Sequence, residues 1–293
     1  MTQDEKQFAQ MVPPVGVATT SPVRVIIRPS QGWVSLDLRE LWDYRELLYF
    51  LVWRDFKVRY KRTAIGAAWA IIQPVLTMVV FSIFFGRLAG IPSEGVPYPI
   101  FTFAALVPWM YFANALTGST NAVVEHERMI SKAYFPRIFL PAGPVLAGLV
   151  DLSIAMAVLI VMMLFFGISP TLAIVTLPLF LLLSVATALA VGLWLSALNV
   201  MYRDVRYAVP FLVQFWLFAS PVAYPASLVP EPWRVLYGLN PMVGVIEGFR
   251  WALLGTGQPP GPTVAISSAV IVLLLMGGAA YFRRVEQIFA DVV

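Results

Sequence analysis

The chain has 293 residues, of which 59% are hydrophobic and only 12% charged. Soluble domains carry about 25% charged residues, so the composition excludes an ordinary soluble enzyme and points to an integral membrane protein with room for about six spans. The net charge of +4 is a matter of topology rather than of nucleic-acid binding, and the absence of cysteine excludes disulfide and thiol chemistry.

Residues 1–36 read as an N-terminal cytoplasmic tail. Met1 to Pro22 is polar and proline-bearing, with no apolar core of a cleavable signal. Val23 to Arg28 alternates well enough for a short strand, ended by Pro29 to Gly32. Residues 37–62 read as an amphipathic helix in the membrane interface. Asp37 and Glu40 fit a capping box, and Leu36 and Leu41 a hydrophobic staple. Leu41, Tyr44, Leu48, Leu51 and Val52 share one face, while Arg39, Asp43, Glu46, Arg54 and Lys57 share the other. The pattern is imperfect: Phe50 interrupts the polar face, and Asp55 and Arg59 the apolar one.

The remainder, 63–293, reads as an all-α polytopic membrane domain of six spans. Spans are expected at about 65–88, 99–123, 142–167, 171–198, 209–224 and 262–282. Between the last two lies a Pro- and Gly-rich region, 225–261. Its apolar piece 242–254 is too short to cross and carries Glu247 and Arg250, so it is expected to be re-entrant or interfacial. The basic cluster Arg54, Lys57, Arg59, Lys61 and Arg62 runs straight into the first span. With six spans and both termini cytoplasmic, all Lys and Arg except Arg87, Arg234 and Arg250 fall on one side. That distribution satisfies the positive-inside rule. No internal repeat is evident, which weighs against a secondary transporter built from repeated halves.

Four blocks carry a resemblance. The first is Arg54-Asp55-x-Lys57-x-Arg59-Tyr60, followed by Gly66-x-x-Trp69 and Pro74. The second is the run from Ile130 to Arg137 with Leu140-Pro141. The third runs from Leu198 to Val205, followed by Pro210 and Ser220-Pro221-Val222, and the fourth is Asn240-Pro241-Met242 with Ile246-Glu247 and Arg250. In this order, from about Asp37 onward, they resemble the membrane subunit of ABC exporters that move O-antigen, capsule and wall teichoic acid.

The resemblance implies a homodimer in the bacterial inner membrane with two copies of an ATPase subunit, moving a lipid-linked polysaccharide with O-antigen favoured. It implies that loop 124–141 docks on the ATPase through Glu125, Glu127, Lys132, Tyr134, Phe135, Pro136 and Arg137. It also makes 225–261 an extracellular gate with Asn240, Glu247 and Arg250. No glycine is followed by lysine, so no P-loop is encoded and ATP and Mg belong to the partner. No cofactor is expected in the chain itself, and His126, the single histidine, has no second ligand nearby in sequence to make a metal site. The rival readings are a drug or lipid efflux permease, a membrane glycan-processing enzyme and a channel. The enzyme would need clustered acids or histidines that these loops lack.

Asp151 sits inside the third span, where a carboxylate costs about 3 kcal/mol. It is expected to face the bundle interior near Gln73, either as a hydrogen-bonded packing residue or as a substrate contact. Trp33, Trp42, Trp53 and Trp233 suit membrane interfaces. Phe211, Phe215 and Phe218 form one aromatic stripe, and Phe101 and Phe112 with Pro108 another. Such stripes face lipid or core, or line a glycan path in which sugar C–H faces pack on rings.

Overall fold

The computed structural model describes residues 38–61, 68–130, 132, 134–256, 259, 261–287 and 289. The tail, the strand at Val23–Arg28, the cap at Asp37, the start of the first span and Arg62 lie outside the described residues. Those that are described form an all-α protein. Helices α1 (Leu38–Asp43) and α2 (Arg45–Lys61) come first, then α3 (Trp69–Phe81), which continues as a π-helix through Ser82–Leu88. They are followed by α4 (Tyr98–Glu125), the short α5 (Glu127–Ile130) and α6 (Phe139–Phe165). A 3-10 turn (Leu172–Thr176) leads into α7 (Leu177–Met201), and α8 (Val205–Phe218), α9 (Glu231–Tyr237), α10 (Pro241–Leu254) and α11 (Pro262–Glu286) complete the order.

Five of these are long and apolar enough to cross a membrane: Trp69–Leu88, Tyr98–Glu125, Phe139–Phe165, Leu172–Met201 and Pro262–Glu286. The centre is α4. Its most apolar stretch is 78% buried, against 11% for the first span, because α6, α7, α10, α3 and α8 all pack around it. Small residues permit that closeness. A Cβ on Gly192 of α7 would come within 2.4 Å of the Ser119 hydroxyl of α4, and one on Gly248 of α10 within 2.1 Å of the Phe180 ring. Packing of this kind, rather than hydrophobic transfer, associates helices in lipid.

The expected fifth span does not form as one helix over 209–224. The helix begins at Val205 and stops at Phe218, 14 residues or about 21 Å. Pro221 cannot donate to a continuing helix, and the freed carbonyls find side chains instead. Tyr224 Oη donates to Phe218 O at 3.0 Å, and Asn240 Nδ2 to Ala219 O at 3.1 Å. The apolar piece after it is α10, and it is an interior element: Val243, Ile246, Phe249 and Leu253 are all buried against α4, α7 and α11.

A second apolar cluster closes one end of the bundle. Leu51 of α2, Phe135 and Phe139 after the α4–α6 loop, Val200 of α7 and Phe282 of α11 pack together there with Phe289. Leu41, Tyr44, Leu47 and Leu48 lie against this cluster, so the apolar side read from the sequence is the docked side of α1 and α2. Contacts along α6 run from Gly143, beside Asp55 and Leu51, to Asp151, beside Arg59 and Tyr60.

Candidate functional site

The two residues that interrupted the apolar face of α2 are the ones that point into the bundle. An i, i+4 step separates Leu51, Asp55 and Arg59, so all three follow one stripe toward α6. The Arg59 guanidinium pairs with the Asp151 carboxylate, and the Tyr60 hydroxyl donates to the other carboxylate oxygen. Burial, followed by that hydrogen bond, pushes the Tyr60 phenol up, which keeps it a donor. An acid in a span is thereby paired and hydrogen-bonded, the condition under which such groups persist.

The pair forms one wall of a cavity of about 400 Å³ between α2, α3, α4 and α6. Gln73 lines the same cavity. Asn114 and Thr117 of α4, with Trp69 and Tyr111, complete it. Sequence reading missed Asn114 and Thr117, and it quoted Tyr60 only within the first resemblance block, with no role of its own. The physical signal was Arg59 standing on the apolar face of its helix. Elsewhere in the basic cluster, Arg54 pairs with Asp55 at 2.8 Å, Lys57 lies 5.1 Å from the Trp53 ring centroid, and Lys61 is exposed.

The α4–α6 loop divides into a free part and an anchored part. Glu125, Glu127, Lys132 and Tyr134 are exposed. Phe135 and Pro136 are buried, which removes them from any partner's reach in this conformation. Arg137 is anchored too. Its guanidinium donates to the Glu286 carbonyl, and its backbone N–H to the Glu286 carboxylate at 3.3 Å. Tyr134 Oη donates to Glu40 at 3.0 Å, and Arg283 lies 4.0 Å from the same carboxylate. Loop, first helix and last helix are thus joined by polar contacts that no single stretch of sequence displays.

At the opposite end of α4, the expected gate residues form a node. Arg250 is 1% exposed. It donates to the carbonyls of Phe101 (3.2 Å), Val222 (2.8 Å) and Tyr224 (3.3 Å), and to Glu247 at 3.4 Å. Its guanidinium also stands 3.5 Å from the Phe101 ring centroid. Asn240 caps α10 by accepting from Met242 N at 3.1 Å, accepts from Trp216 Nε1 at 2.9 Å, and donates to Ser220 Oγ at 3.0 Å. Each group is satisfied, so the node holds the end of α8, the start of α4 and α10 in one arrangement.

The aromatic stripes part company. Phe101 and Phe112 are 0% exposed. Phe101 packs under Arg250, and Phe112 meets the Trp216 ring edge-on at 5.1 Å. Both belong to the core, so their placement on a substrate path is corrected: α4 is central, and none of its ring surface here is open. Phe211, Phe215 and Phe218 are 65%, 69% and 52% exposed on α8; the first two rings meet at 5.8 Å, while Phe218 stacks on Phe81 of α3 at 6.5 Å.

A family model described as ABC-2 type transporter matches residues 46–254. The O-antigen export system permease protein RfbA of Myxococcus xanthus is 30% identical over 257 residues, 87% of this chain and 98% of that protein. The protein of the same name from Klebsiella pneumoniae is 24% identical over 249 residues, 85% of this chain and 95% of that one. The polysialic acid transport protein KpsM of Escherichia coli is 23% identical over 243 residues, 80% and 91% of the two chains.

Proposed function

This chain belongs to the ABC-2 type transporter family, and on that footing we propose that it is the membrane permease of an ABC transporter that exports O-antigen or a related polysaccharide. The observation that carries the reading is similarity spanning 98% of the Myxococcus xanthus O-antigen permease. Its role is transport rather than catalysis, and ATP with its Mg is handled by a separate subunit. The substrate is a polysaccharide built on a polyprenyl-diphosphate lipid, and the membrane is the bacterial inner membrane.

The finer architecture belongs to the same proposal. Six crossings arise when the short α8 is counted with the five long helices, which leaves both termini cytoplasmic as the basic residues favour. Two copies and two ATPase subunits make the working unit. The exposed face of the α4–α6 loop, at Glu125, Glu127, Lys132 and Tyr134, meets the ATPase, while Phe135, Pro136 and Arg137 carry its motion to the bundle. On the far side, α10 re-enters the membrane from the gate region, where Asn240, Glu247 and Arg250 hold it. Phe211, Phe215 and Phe218 offer the aromatic surface along which sugar rings pass.

The test is deletion of the gene in its own cell. Surface glycan should disappear while lipid-linked polymer accumulates inside. Unchanged surface glycan would remove the reading.

A further inference from the structure

Gln73, Asn114 and Asp151 belong to three different helices that are long and apolar enough to cross a membrane, and all three line one cavity. Among the described residues, neither the Gln73 nor the Asn114 amide has a hydrogen-bond partner, and both are exposed. A primary amide left without a partner in hydrocarbon is costly. Two of them beside an intramembrane carboxylate call for something polar to meet them.

The chemistry of the wall selects what that is. The charges balance each other, because Arg59 and Tyr60 both donate to Asp151. A phosphate therefore meets an arginine already balanced by a carboxylate, and an ammonium group a carboxylate already paired, so this wall carries no net charge to favour either. The groups that remain are two amides, each with donors and an acceptor, and the Thr117 hydroxyl, whose proton goes to its own helix at Ala113 O while its lone pairs can still accept. Beside them Trp69 is 51% exposed, an aromatic ring at the edge of a recess whose remaining lining, with Leu106, Met110 and Leu152, is apolar. Donor–acceptor pairs next to an aromatic surface match a neutral sugar, whose hydroxyls both give and accept while its C–H face seeks a ring. The volume, about 400 Å³, lies within the range of about 300–1,000 Å³ usual for small-molecule sites and leaves room for a sugar ring.

We propose that the cavity bounded by Gln73, Asn114, Asp151 and Trp69 is a binding site for a neutral sugar unit of the exported polymer. The proposal rests on the export reading and adds a place where the chain touches its substrate. Under the six-span topology the site lies in the cytoplasmic half of the membrane, where polymer enters. A site with no net charge holds each unit loosely, as a moving polymer requires.

Two experiments decide it, both in cells that carry the ATPase partner. In the first, a benzophenone amino acid replaces Ala70, which lines the cavity. Ultraviolet light should yield an adduct that stains with periodate and is missing from cells that make no polymer. An adduct with phospholipid or with a second copy of the chain, or no adduct, overturns the assignment. In the second, the double variant Gln73→Leu with Asn114→Leu is returned to the deletion strain. Apolar replacements favour insertion, and surface glycan per unit of permease should fall roughly fivefold or more. If deletion removes surface glycan and this variant restores it fully, the cavity assignment fails alone. If deletion leaves surface glycan unchanged, the export reading fails and the cavity assignment with it.

Discussion

Arg250 shows how a charged residue becomes a structural pin. Three backbone carbonyls and Glu247 absorb its donors, and only a planar guanidinium presents enough donors in a fixed fork to reach them all. Arg250→Met should destabilise the protein by about 3–5 kcal/mol, because the carbonyls lose their donor and Glu247 loses its cation. Arg250→Lys should recover only part of the loss. Thermal midpoints of the purified proteins measure both, and a wild-type midpoint in the methionine variant would contradict the role. The Arg59–Asp151 pair is more open, its side chains 36% and 19% exposed, so solvent screens it. Asp151→Leu and Arg59→Met should each cost about 1–2 kcal/mol by stranding the other charge, and the double variant should cost less than their sum. Additive losses would show that the two residues act separately. This pair also marks the limit of reading single residues. Asp151 was legible as an intramembrane acid needing company, and Gln73 as a neighbour at like depth. Arg59 and Tyr60 lie more than 90 positions away in sequence, and neither their place in a resemblance block nor a defect in helical periodicity pointed to Asp151 as their partner.

At the scale of elements, hydropathy located five spans to within a few residues, since length and apolarity alone define them. It over-extended the fifth, because an apolar run continues past Phe218 while Pro221 and the capping contacts from Tyr224 and Asn240 end the helix. It recognised α10 as too short to cross but could not see that helix buried on every side, a property of its neighbours. The α4–α6 loop teaches a similar lesson. Its charged residues read as one docking surface, yet Arg137 is already engaged by Glu286. Charge reversal should therefore act differently at its two parts. Lys132→Glu should leave the permease at its normal level and lower co-purification of the ATPase, through like-charge juxtaposition across the contact. Arg137→Glu should instead lower the amount of folded permease, since two carboxylates would then face each other within the chain. Equal permease levels in both variants would show that the loop is not divided in this way.

Orientation and path are properties of the whole molecule. The chain has no cysteine, so single cysteines can be labelled without background. An impermeant thiol reagent should reach Glu94→Cys and Pro259→Cys in intact cells, and Lys132→Cys and Val205→Cys only after lysis. Labelling of Lys132→Cys from outside would invert the topology. The aromatic row on α8 is tested at the same scale, because its meaning depends on what lies opposite. Leucine at Phe211, Phe215 and Phe218 keeps the surface apolar but removes the flat faces on which sugar rings rest. That variant should accumulate normally and export less polymer, by a modest factor per ring, each aromatic contact contributing about 0.5–1.5 kcal/mol. Wild-type export per unit of permease would place the row against lipid or another helix.

The π-helical turn at Ser82–Leu88 gives the first span a property that the other four lack. Ser82 Oγ turns back to Met78 O at 2.7 Å at the point where the ladder widens, and the wide pattern persists until Ile91 N meets Phe85 O at 2.9 Å. Such a turn stores one residue more than an α-helix needs. Its carbonyls take their donors from at least one residue further along the chain than those of an α-helix, so the last part of this span is wound wider than the turns before it. The outward side chains Ile83, Phe84 and Leu88 are therefore spaced more openly around the axis than those of an α-helical end.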